Sequence, residues 1–298
     1  MPPGEADRIL FRSTSPGRPR VPQPGALPLT YPKTAIISDL HGNIPALETA
    51  IADARERGVT RFACCGDIVG YGAQPREALD LVMQLCVPGA KFPDGGALED
   101  GVCLKGNHED ALLTSPEDFN PKARAAIEWT HHEITSGGGK EAGYAYWDFI
   151  GDLSASGCDD LAMYAHGSPR EPVREYMLPR DIHDHPKMRA NFEAMERNVC
   201  FVGHSHVPAV YYEDGRIYTP SDTEGPYGLG IGPERRAIVN VGSVGQPRDG
   251  DPRLSYAIFD GETIQFVRLE YDIETAAARI RAVADLPDYL AERLYVGR

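Results

Sequence analysis

The feature that most constrains the fold is an alternation of short apolar runs with segments of helical periodicity. The runs at 34–40, 61–67 and 102–107 are mainly apolar and reach polar residues near their carboxyl ends, which predicts buried strands. Between them, residues 46–58 and 75–86 place apolar side chains at helical spacing, and the first of these segments ends at a glycine. Strands that alternate with helices predict an α/β fold in which helices cover a sheet.

The second half of the chain predicts closely spaced strands that are closed by a helix. Residues 121–152 predict two helices separated at 137–139, and the Gly/Pro-rich segment 219–236 predicts a long loop. This pattern favours an α/β sandwich with a mixed sheet and helices outside it. The predicted strands of this half lie at 161–167, 198–204, 209–214, 216–220, 237–242, 255–260 and 263–269, and the closing helix lies at 274–284.

The composition limits the binding partners and the cellular compartment that we expect for this chain. With 30 lysines and arginines against 44 aspartates and glutamates, the net charge is −14, which disfavours nucleic acid as a partner. No apolar stretch approaches the roughly 18 residues that a membrane span needs. The six cysteines show no Cys-x-x-Cys spacing, so we expect buried free thiols in a reducing, cytoplasmic compartment. The composition leaves a homo-oligomer open.

The first 32 residues differ in composition from the rest of the chain. They contain eight prolines and four arginines, and they have no apolar core of a signal peptide. So many prolines would break an amphipathic helix. We therefore interpret residues 1–32 as a Pro-rich N-terminal extension and residues 33–298 as one domain.

Polar motifs follow five of the predicted strands, where ligands collect in α/β sheets. Asp39 and His41 are separated by one residue, as are His204 and His206. In extended backbone, side chains two positions apart point to the same side, so each pair could face one ion. If Asp67 is shared, each of two ions receives four protein ligands. Nitrogen and oxygen donors without thiolate suit Mn, Fe, Zn, Ni or Co. The seven donors are Asp39, His41, Asp67, Asn107, His166, His204 and His206.

The five polar motifs are Asp39-Leu40-His41, Gly66-Asp67, Gly106-Asn107-His108-Glu109, His166-Gly167 and Gly203-His204-Ser205-His206. In type and order they resemble those of the calcineurin-like metallophosphoesterase family. Residues 164–172 and 240–260 are similar to a bacterial phosphodiesterase-like subgroup whose members include hydrolases of diadenosine tetraphosphate. The resemblance implies a four-layer α/β/β/α sandwich with mixed β-sheets over 33–298. It also implies a metal-dependent phosphodiesterase or phosphatase that acts on a small anionic, nucleotide-like phosphoester.

The resemblance further implies a role for each donor. The cofactors would be two divalent or mixed-valence transition-metal ions, with Mn, Fe or Zn favoured over Ni or Co. Asp67 would bridge the ions, a metal-bridging hydroxide would attack phosphorus in line, and His108 would act as general acid. The first ion would be bound by Asp39, His41 and His206, and the second by Asn107, His166 and His204.

The chain departs from the protein phosphatases of this family at two positions. Gly70 replaces the aspartate that orients the catalytic histidine, and Tyr71 replaces an arginine that grips phosphate. These two replacements disfavour a protein serine/threonine phosphatase, which we keep as an alternative together with a non-catalytic interaction scaffold of the same fold. We expect substrate contacts from Asn43, Arg248 and Tyr71, although packing is an equal alternative for Tyr71.

Three other polar residues attract attention. Glu109 either supports a ligand from behind or provides a charge at a helix start, and both alternatives stay open. His183 and His185, surrounded by aspartate and proline, are predicted in an exposed loop, with the rim of the substrate site as the alternative.

Overall fold

The computed structural model describes residues 31–298 except 138–139 and 233–234, so residues 1–30 of the expected extension lie outside the described residues. Twelve short strands lie in the described part of the chain, most of them where the apolar runs predict strands. The strands are β1 (Thr34–Ile37), β2 (Arg61–Cys64), β3 (Val102–Cys103), β4 (Ser156–Cys158), β5 (Ala162–Ala165), β6 (Val199–Val202), β7 (Ala209–Tyr212), β8 (Ile217–Tyr218), β9 (Glu224–Gly228), β10 (Ala237–Asn240), β11 (Leu254–Phe259) and β12 (Thr263–Leu269).

Most helices begin at an evident N-terminal signal. Proline occupies the first turn of several of them, where its missing N–H is no loss. The helices are α1 (Ile44–Glu56), α2 (Pro75–Cys86), α3 (Asn107–Leu113), α4 (Pro121–Ser136), α5 (Lys140–Asp152), α6 (His185–Glu193), α7 (Ile273–Arg281) and α8 (Tyr289–Glu292), with 3₁₀ turns at Pro179–His183 and Arg293–Val296.

The strands form two mixed six-stranded sheets. The first has the order β3-β2-β1-β11-β12-β9 and the second the order β4-β5-β6-β10-β7-β8. In the first sheet β1, β2 and β3 run parallel, and in the second β5, β6 and β10 run parallel. Each sheet therefore gathers the carboxyl ends of three strands at one edge, and all five polar motifs begin within three residues of such an end.

The hydrophobic core confirms a four-layer α/β/β/α sandwich. Between the sheets, Ile36 of the first sheet belongs to the same buried cluster as Tyr164 and Phe201 of the second. Helices α1 and α2 cover the outer face of the first sheet, and α6 covers the second through Met188 and Phe192. Apolar side chains on both faces of the central strands explain why these strands read as continuous apolar runs.

Two segments differ from the sequence-based expectation. The predicted loop 219–236 contains β9, an exposed edge strand that pairs antiparallel with β12. Because its side chains are mostly exposed, no apolar alternation marks it. His183 and His185 are exposed, as expected, but they lie in a 3₁₀ turn and at the start of α6 rather than in a loop. Asp184, which lies in the predicted loop, caps α6 instead, because its carboxylate accepts a hydrogen bond from the Lys187 N–H.

The cysteines are all free thiols, as predicted, and four of the six are buried while Cys158 is exposed. None of the helices in the described ranges combines the length and apolar character that crossing a membrane would require.

The inter-sheet core predicts a large penalty for truncating its aromatic side chains. Phe201 is fully buried between the sheets, so Phe201→Ala should lower the free energy of unfolding by about 3–5 kcal/mol. Tyr144, which is 66% exposed, provides a matched control, and Tyr144→Ala should change the free energy of unfolding by less than about 0.5 kcal/mol. Denaturant unfolding measures both, and equal losses in the two variants would contradict this packing.

Candidate metal centre

All seven predicted donors converge at the edge where the parallel strands end. The ligand atoms of Asp39, His41, Asp67 and His206 lie within 4.8 Å of one another. A second group within the same limit contains His166, His204 and again Asp67. The Asn107 Oδ1 lies 3.0 Å from His166 Nε2, which adds the amide to the second group. Asp67 is thus shared by two adjacent clusters, and every one of these donors is buried.

The ligand-bearing loops have an unusual backbone. Left-handed φ angles cost a non-glycine residue about 1–2 kcal/mol each, and in the described ranges such residues occur only around this centre. The expectation that Asp39/His41 and His204/His206 converge through extended backbone is therefore wrong. Left-handed turns, not strand geometry, bring each pair together. The six residues, with φ between 49° and 65°, are Asp39, His41, Asp67, Tyr71, His204 and His206.

Main-chain hydrogen bonds between the loops hold these turns. The Asp39 N–H donates to the Gly66 carbonyl at 3.0 Å, and the Leu40 N–H donates to that of Asp67 at 2.8 Å. The loop of the second sheet joins them, since the His204 N–H donates to both Asp39 carboxylate oxygens at 3.0 and 3.2 Å. Gly203 is required at this junction because a Cβ there would lie 1.9 Å from the Ser38 hydroxyl.

Glu109 organises the loop that presents Asp67. Its fully buried carboxylate accepts from the N–H groups of four residues at 2.8–3.1 Å. Burial, reinforced by the Asp67 charge, raises the pKa of Glu109 to about 7. The sequence left two roles open for Glu109, support of a ligand loop and a charge at a helix start. The contacts show the first role, and Glu109 also lies in the first turn of α3. The four donors belong to Asp67, Ile68, Val69 and Gly106.

Each of the four histidines in the clusters has one ring nitrogen against a main-chain carbonyl. His41 Nδ1 lies 3.2 Å from the Val69 oxygen, and His166 Nδ1 lies 3.0 Å from that of Cys65. A carbonyl only accepts, so these outer nitrogens carry the hydrogen and the inner nitrogens point lone pairs into the clusters. The remaining pairs are His204 Nε2 with the Arg174 oxygen at 3.1 Å and His206 Nδ1 with the Gln246 oxygen.

The inner nitrogens face one another at distances that require positive charge. His41 Nε2 lies 3.2 Å from His206 Nε2, and His166 Nε2 lies 3.1 Å from His204 Nδ1. Two lone pairs at such distances repel unless a cation or a proton lies between them. The donor set therefore fits two metal ions, one in each cluster.

The acid–base properties of the clusters agree with this requirement. Burial opposes ionisation of Asp39 and Asp67, but the surrounding imidazoles outweigh it and hold both carboxyl pKa values below their usual range. Burial lowers the pKa of His204 to about 3. It also acts against His166, but Asp67 outweighs it and raises the pKa of His166 to about 9. A proton on His166 thus supplies, in the metal-free protein, charge that a bound cation would replace.

An open cleft of about 710 Å³, including its solvent-filled mouth, leads to the clusters. His108 lines it, with Nε2 3.9 Å from Asp67 Oδ2. The His108 ring also packs against the rings of His41, Tyr71 and Phe119, and its buried Nδ1, unlike Nε2, has no polar partner among the described residues. A Cβ on Gly70 would lie 2.0 Å from that nitrogen, so glycine is needed where the protein phosphatases have aspartate. Burial lowers the pKa of His108 to about 4.

The expected substrate contacts have different outcomes. Both Arg248 and Tyr71 line the cleft, and the Arg248 guanidinium lies 5.7 Å from the centre of the Tyr71 ring. The contact expected of Asn43 is wrong. Its amide N–H₂ donates to the Gly245 carbonyl and the Tyr271 hydroxyl, and its oxygen caps α1 by accepting from Ala46. No donor of Asn43 remains for phosphate.

Sequence analysis missed an aromatic residue beside the metal clusters. Tyr176 stacks on His204 with ring centres 3.8 Å apart and is 44% exposed to the cleft. Arg174, two residues earlier, supplies the carbonyl for His204 and forms ion pairs with Asp110 and Asp118. The available signal was position alone, because both residues lie in the loop that follows the His166 motif.

Comparisons with known proteins agree with the geometry. Residues 32–208, which include every donor of both clusters, match the sequence profile of the calcineurin-like phosphoesterases. The chain is 33% identical over 270 residues to an uncharacterised protein of Methanocaldococcus jannaschii, an alignment that covers 89% of this chain and 98% of that protein. The crystal structure of a metallophosphoesterase from Sphaerobacter thermophilus is similar, with 36% identity, a TM-score of 0.72, and coverage of 90% of this chain and 100% of the other. A hypothetical protein from Pyrococcus horikoshii, at 20% identity, shares the fold, with a TM-score of 0.65 and coverage of 89% and 98%.

The shared position of Asp67 predicts that its replacement affects both ions. Asp67→Asn should weaken binding of both ions by at least about tenfold, because it removes a charged ligand from each cluster. His204→Ala should weaken one ion more than the other. Asp118→Asn removes an exposed cleft carboxylate outside the clusters and should leave metal content unchanged. Elemental analysis after gel filtration measures the content, and selective loss of a single ion in Asp67→Asn would contradict a shared ligand.

The contacts of Glu109 predict an effect on metal binding without any direct contact with metal. Glu109→Gln replaces one accepting oxygen by a donating NH₂ group that faces main-chain N–H groups. We expect a loss of about 1–3 kcal/mol in the free energy of unfolding and about 10–100-fold weaker metal binding. Glu128→Gln, on the exposed face of α4, should change neither quantity. Titration calorimetry with Mn²⁺ tests this prediction, and wild-type affinity in Glu109→Gln would refute it.

Proposed function

The chain belongs to the calcineurin-like phosphoesterase family and is a metal-dependent phosphoester hydrolase, and we propose that it cleaves phosphodiester or phosphoanhydride bonds of a small nucleotide-like substrate. The observation that carries the proposal is the pair of buried donor clusters that share Asp67 at the base of an open cleft. A site of this kind suits in-line attack of water on phosphorus.

The donor sets divide between two ions. Asp67 lies in both clusters, and no thiolate takes part, which favours Mn, Fe or Zn with nitrogen and oxygen ligands. Two ions bound there would supply Lewis acidity for the phosphoryl oxygens and lower the pKa of the attacking water. In this proposal Asp39, His41 and His206 hold one ion, and Asn107, His166 and His204 hold the other.

The contacts of His108 support a role for this residue at the leaving oxygen. It follows the ligand Asn107 directly, and its main-chain N–H donates to Asp67 Oδ1 at 2.9 Å, which fixes its position relative to both clusters. The packed aromatic rings around the imidazole restrict its rotation. Burial lowers the pKa of His108 to about 4, so the imidazole needs the negative charge of a bound phosphoester to become protonated near neutral pH. We propose that, with substrate bound, His108 delivers a proton to the leaving oxygen, as a general acid that contributes about 10²–10⁴-fold to the rate.

The cleft itself supports a small nucleotide-like substrate. Tyr176 offers a partly exposed aromatic ring and Arg248 a positive charge, which suit a base and a phosphate respectively. Gly70 and Tyr71 argue against a phosphoprotein substrate, since the phosphate-gripping arginine is absent from that position. The complete donor set together with His108 argues against a scaffold that has lost catalysis. The free thiols and the acidic net charge support a cytoplasmic enzyme without a nucleic-acid partner.

A substrate panel on the metal-loaded protein tests this function. We expect hydrolysis of bis-p-nitrophenyl phosphate or of a dinucleoside polyphosphate, and we expect His108→Asn to lower kcat about 10²–10⁴-fold with metal content unchanged. His131→Asn, an exposed histidine of α4, should keep wild-type kcat. If the metal-loaded protein hydrolyses no phosphomonoester, phosphodiester or phosphoanhydride in the panel, the proposal is contradicted. Full activity in His108→Asn would remove this residue from the mechanism.

A further inference from the structure

Two contacts hold the ring of His204, and both come from one loop. His204 Nε2 lies 3.1 Å from the carbonyl oxygen of Arg174, and the His204 ring stacks on that of Tyr176 with the ring centres 3.8 Å apart. Both residues belong to the segment 167–178, which we call the β5 loop because it leads from the end of β5 to the 3₁₀ turn at Pro179–His183. The position of His204 therefore depends on the conformation of the β5 loop.

Glu175 lies between the two residues that contact His204. Its carboxylate accepts from Arg170 Nε at 2.9 and 3.1 Å, from Ser168 Oγ at 2.7 Å and from Asn191 Nδ2 at 3.0 Å. Arg170 and Ser168 belong to the β5 loop itself, whereas Asn191 is a fully buried residue of α6. Glu175 thus connects the beginning of the β5 loop to its second half and to the helix behind it.

The contacts of Glu175 are those of an ionised carboxylate. Burial opposes its ionisation, but the hydrogen bonds from Arg170, Ser168 and Asn191 outweigh burial and lower the pKa of Glu175 to about 2. The Arg170 guanidinium donates from both Nε and Nη2, and such bidentate arginine–carboxylate pairs are stronger and more precisely oriented than single contacts. The Glu175 side chain is 16% exposed, so solvent competes little for these hydrogen bonds.

Helix α6 supports the β5 loop at a second point. Lys187, four residues before Asn191 on this helix, donates from Nζ to the carbonyl of Tyr176 at 2.6 Å. The helix packs on the second sheet and contributes no residue to the lining of the cleft. This support holds the Arg174 carbonyl where it keeps the hydrogen on His204 Nε2, so that Nδ1 directs its lone pair into the second cluster.

We infer that Glu175 is a positioning residue for the second ion, because it holds the β5 loop so that Arg174 and Tyr176 fix the His204 ring for coordination. This inference rests on the proposed function, in which His204 holds that ion. It adds to the centre a residue that lies outside both clusters and outside the lining of the cleft.

The first cluster does not use the β5 loop in this way. The carbonyls that orient His41 and His206 belong to Val69 and Gln246 instead. Loss of the Glu175 carboxylate should therefore weaken one ion selectively. It would leave the first ion with its ligands oriented as before, whereas His204 would lose the fixed carbonyl that keeps its Nδ1 free for a cation.

Titration of the full chain with Mn²⁺ tests the inference, with His204→Ala identifying the affinity that belongs to the second ion. Glu175→Gln should weaken the second ion by about 10–100-fold and the first by less than about twofold. Arg170→Gln, which removes the partner of the same ion pair, should give the same pattern with a smaller loss, and Glu175→Asp should recover part of the affinity because it keeps the charge.

Glu213→Gln is the matched control. Glu213 also accepts from Nε and Nη2 of one arginine, Arg236, but this pair lies outside the lining of the cleft. Loss of the Glu213 carboxylate should leave both affinities unchanged, although it breaks an ion pair of the same geometry.

A spectroscopic measurement separates positioning from a general loss of stability. In ¹H–¹⁵N spectra of the histidine rings of the metal-free chain, His204 should carry its hydrogen on Nε2 in the wild type and on either nitrogen in Glu175→Gln, with His41 unchanged. Equal weakening of both ions, wild-type affinity for both, or an unchanged His204 tautomer in Glu175→Gln would overturn the inference. If the wild type binds two ions but hydrolyses no phosphoester, the proposed function fails while the titration still decides the role of Glu175.

Discussion

The centre depends on the contact between each of the four cluster imidazoles and a main-chain carbonyl. The carbonyl fixes the hydrogen on the outer nitrogen, and the inner nitrogens of His41 and His206 then meet 3.2 Å apart with lone pairs between them. Such an arrangement is unfavourable in itself, and it lies on loops that already carry left-handed ligands. A cation turns the repulsion into coordination. Metal binding and the stability of these loops are therefore thermodynamically coupled.

The two sheets of the sandwich stabilise this unfavourable arrangement, because they hold the loops of the centre from both sides. Parallel strands in each sheet end at the same edge, so Asp39 of the first sheet and His204 of the second meet although 165 residues separate them. Glu109 ties the Asp67 loop to the start of α3 with four hydrogen bonds. The strain is thus confined to short turns between rigid elements. The cleft side chains, including Arg248 and Tyr176, lie on longer loops around this rigid base.

Sequence patterns were sufficient for the elements and for the donors, because both leave local signals. Apolar runs predict most strands, and histidine, aspartate and asparagine at strand ends predict the side chains that converge in the two clusters. The backbone of the ligand turns could not be predicted, since no local signal distinguishes a left-handed aspartate from an extended one. Asn43 was misassigned because a polar residue before a helix more often caps it than binds a ligand. Arg174 and Tyr176 reach the cleft only through tertiary packing, and no sequence motif marks them.

The most direct test of the account is anomalous diffraction from crystals of the protein grown with Mn²⁺ and measured at the manganese absorption edge. The account predicts two peaks about 3.5–4 Å apart, with Asp67 between them, one beside His41 and His206 and the other beside His166 and His204. A single peak away from Asp67, or imidazoles that turn their inner nitrogens out of the clusters, would contradict it.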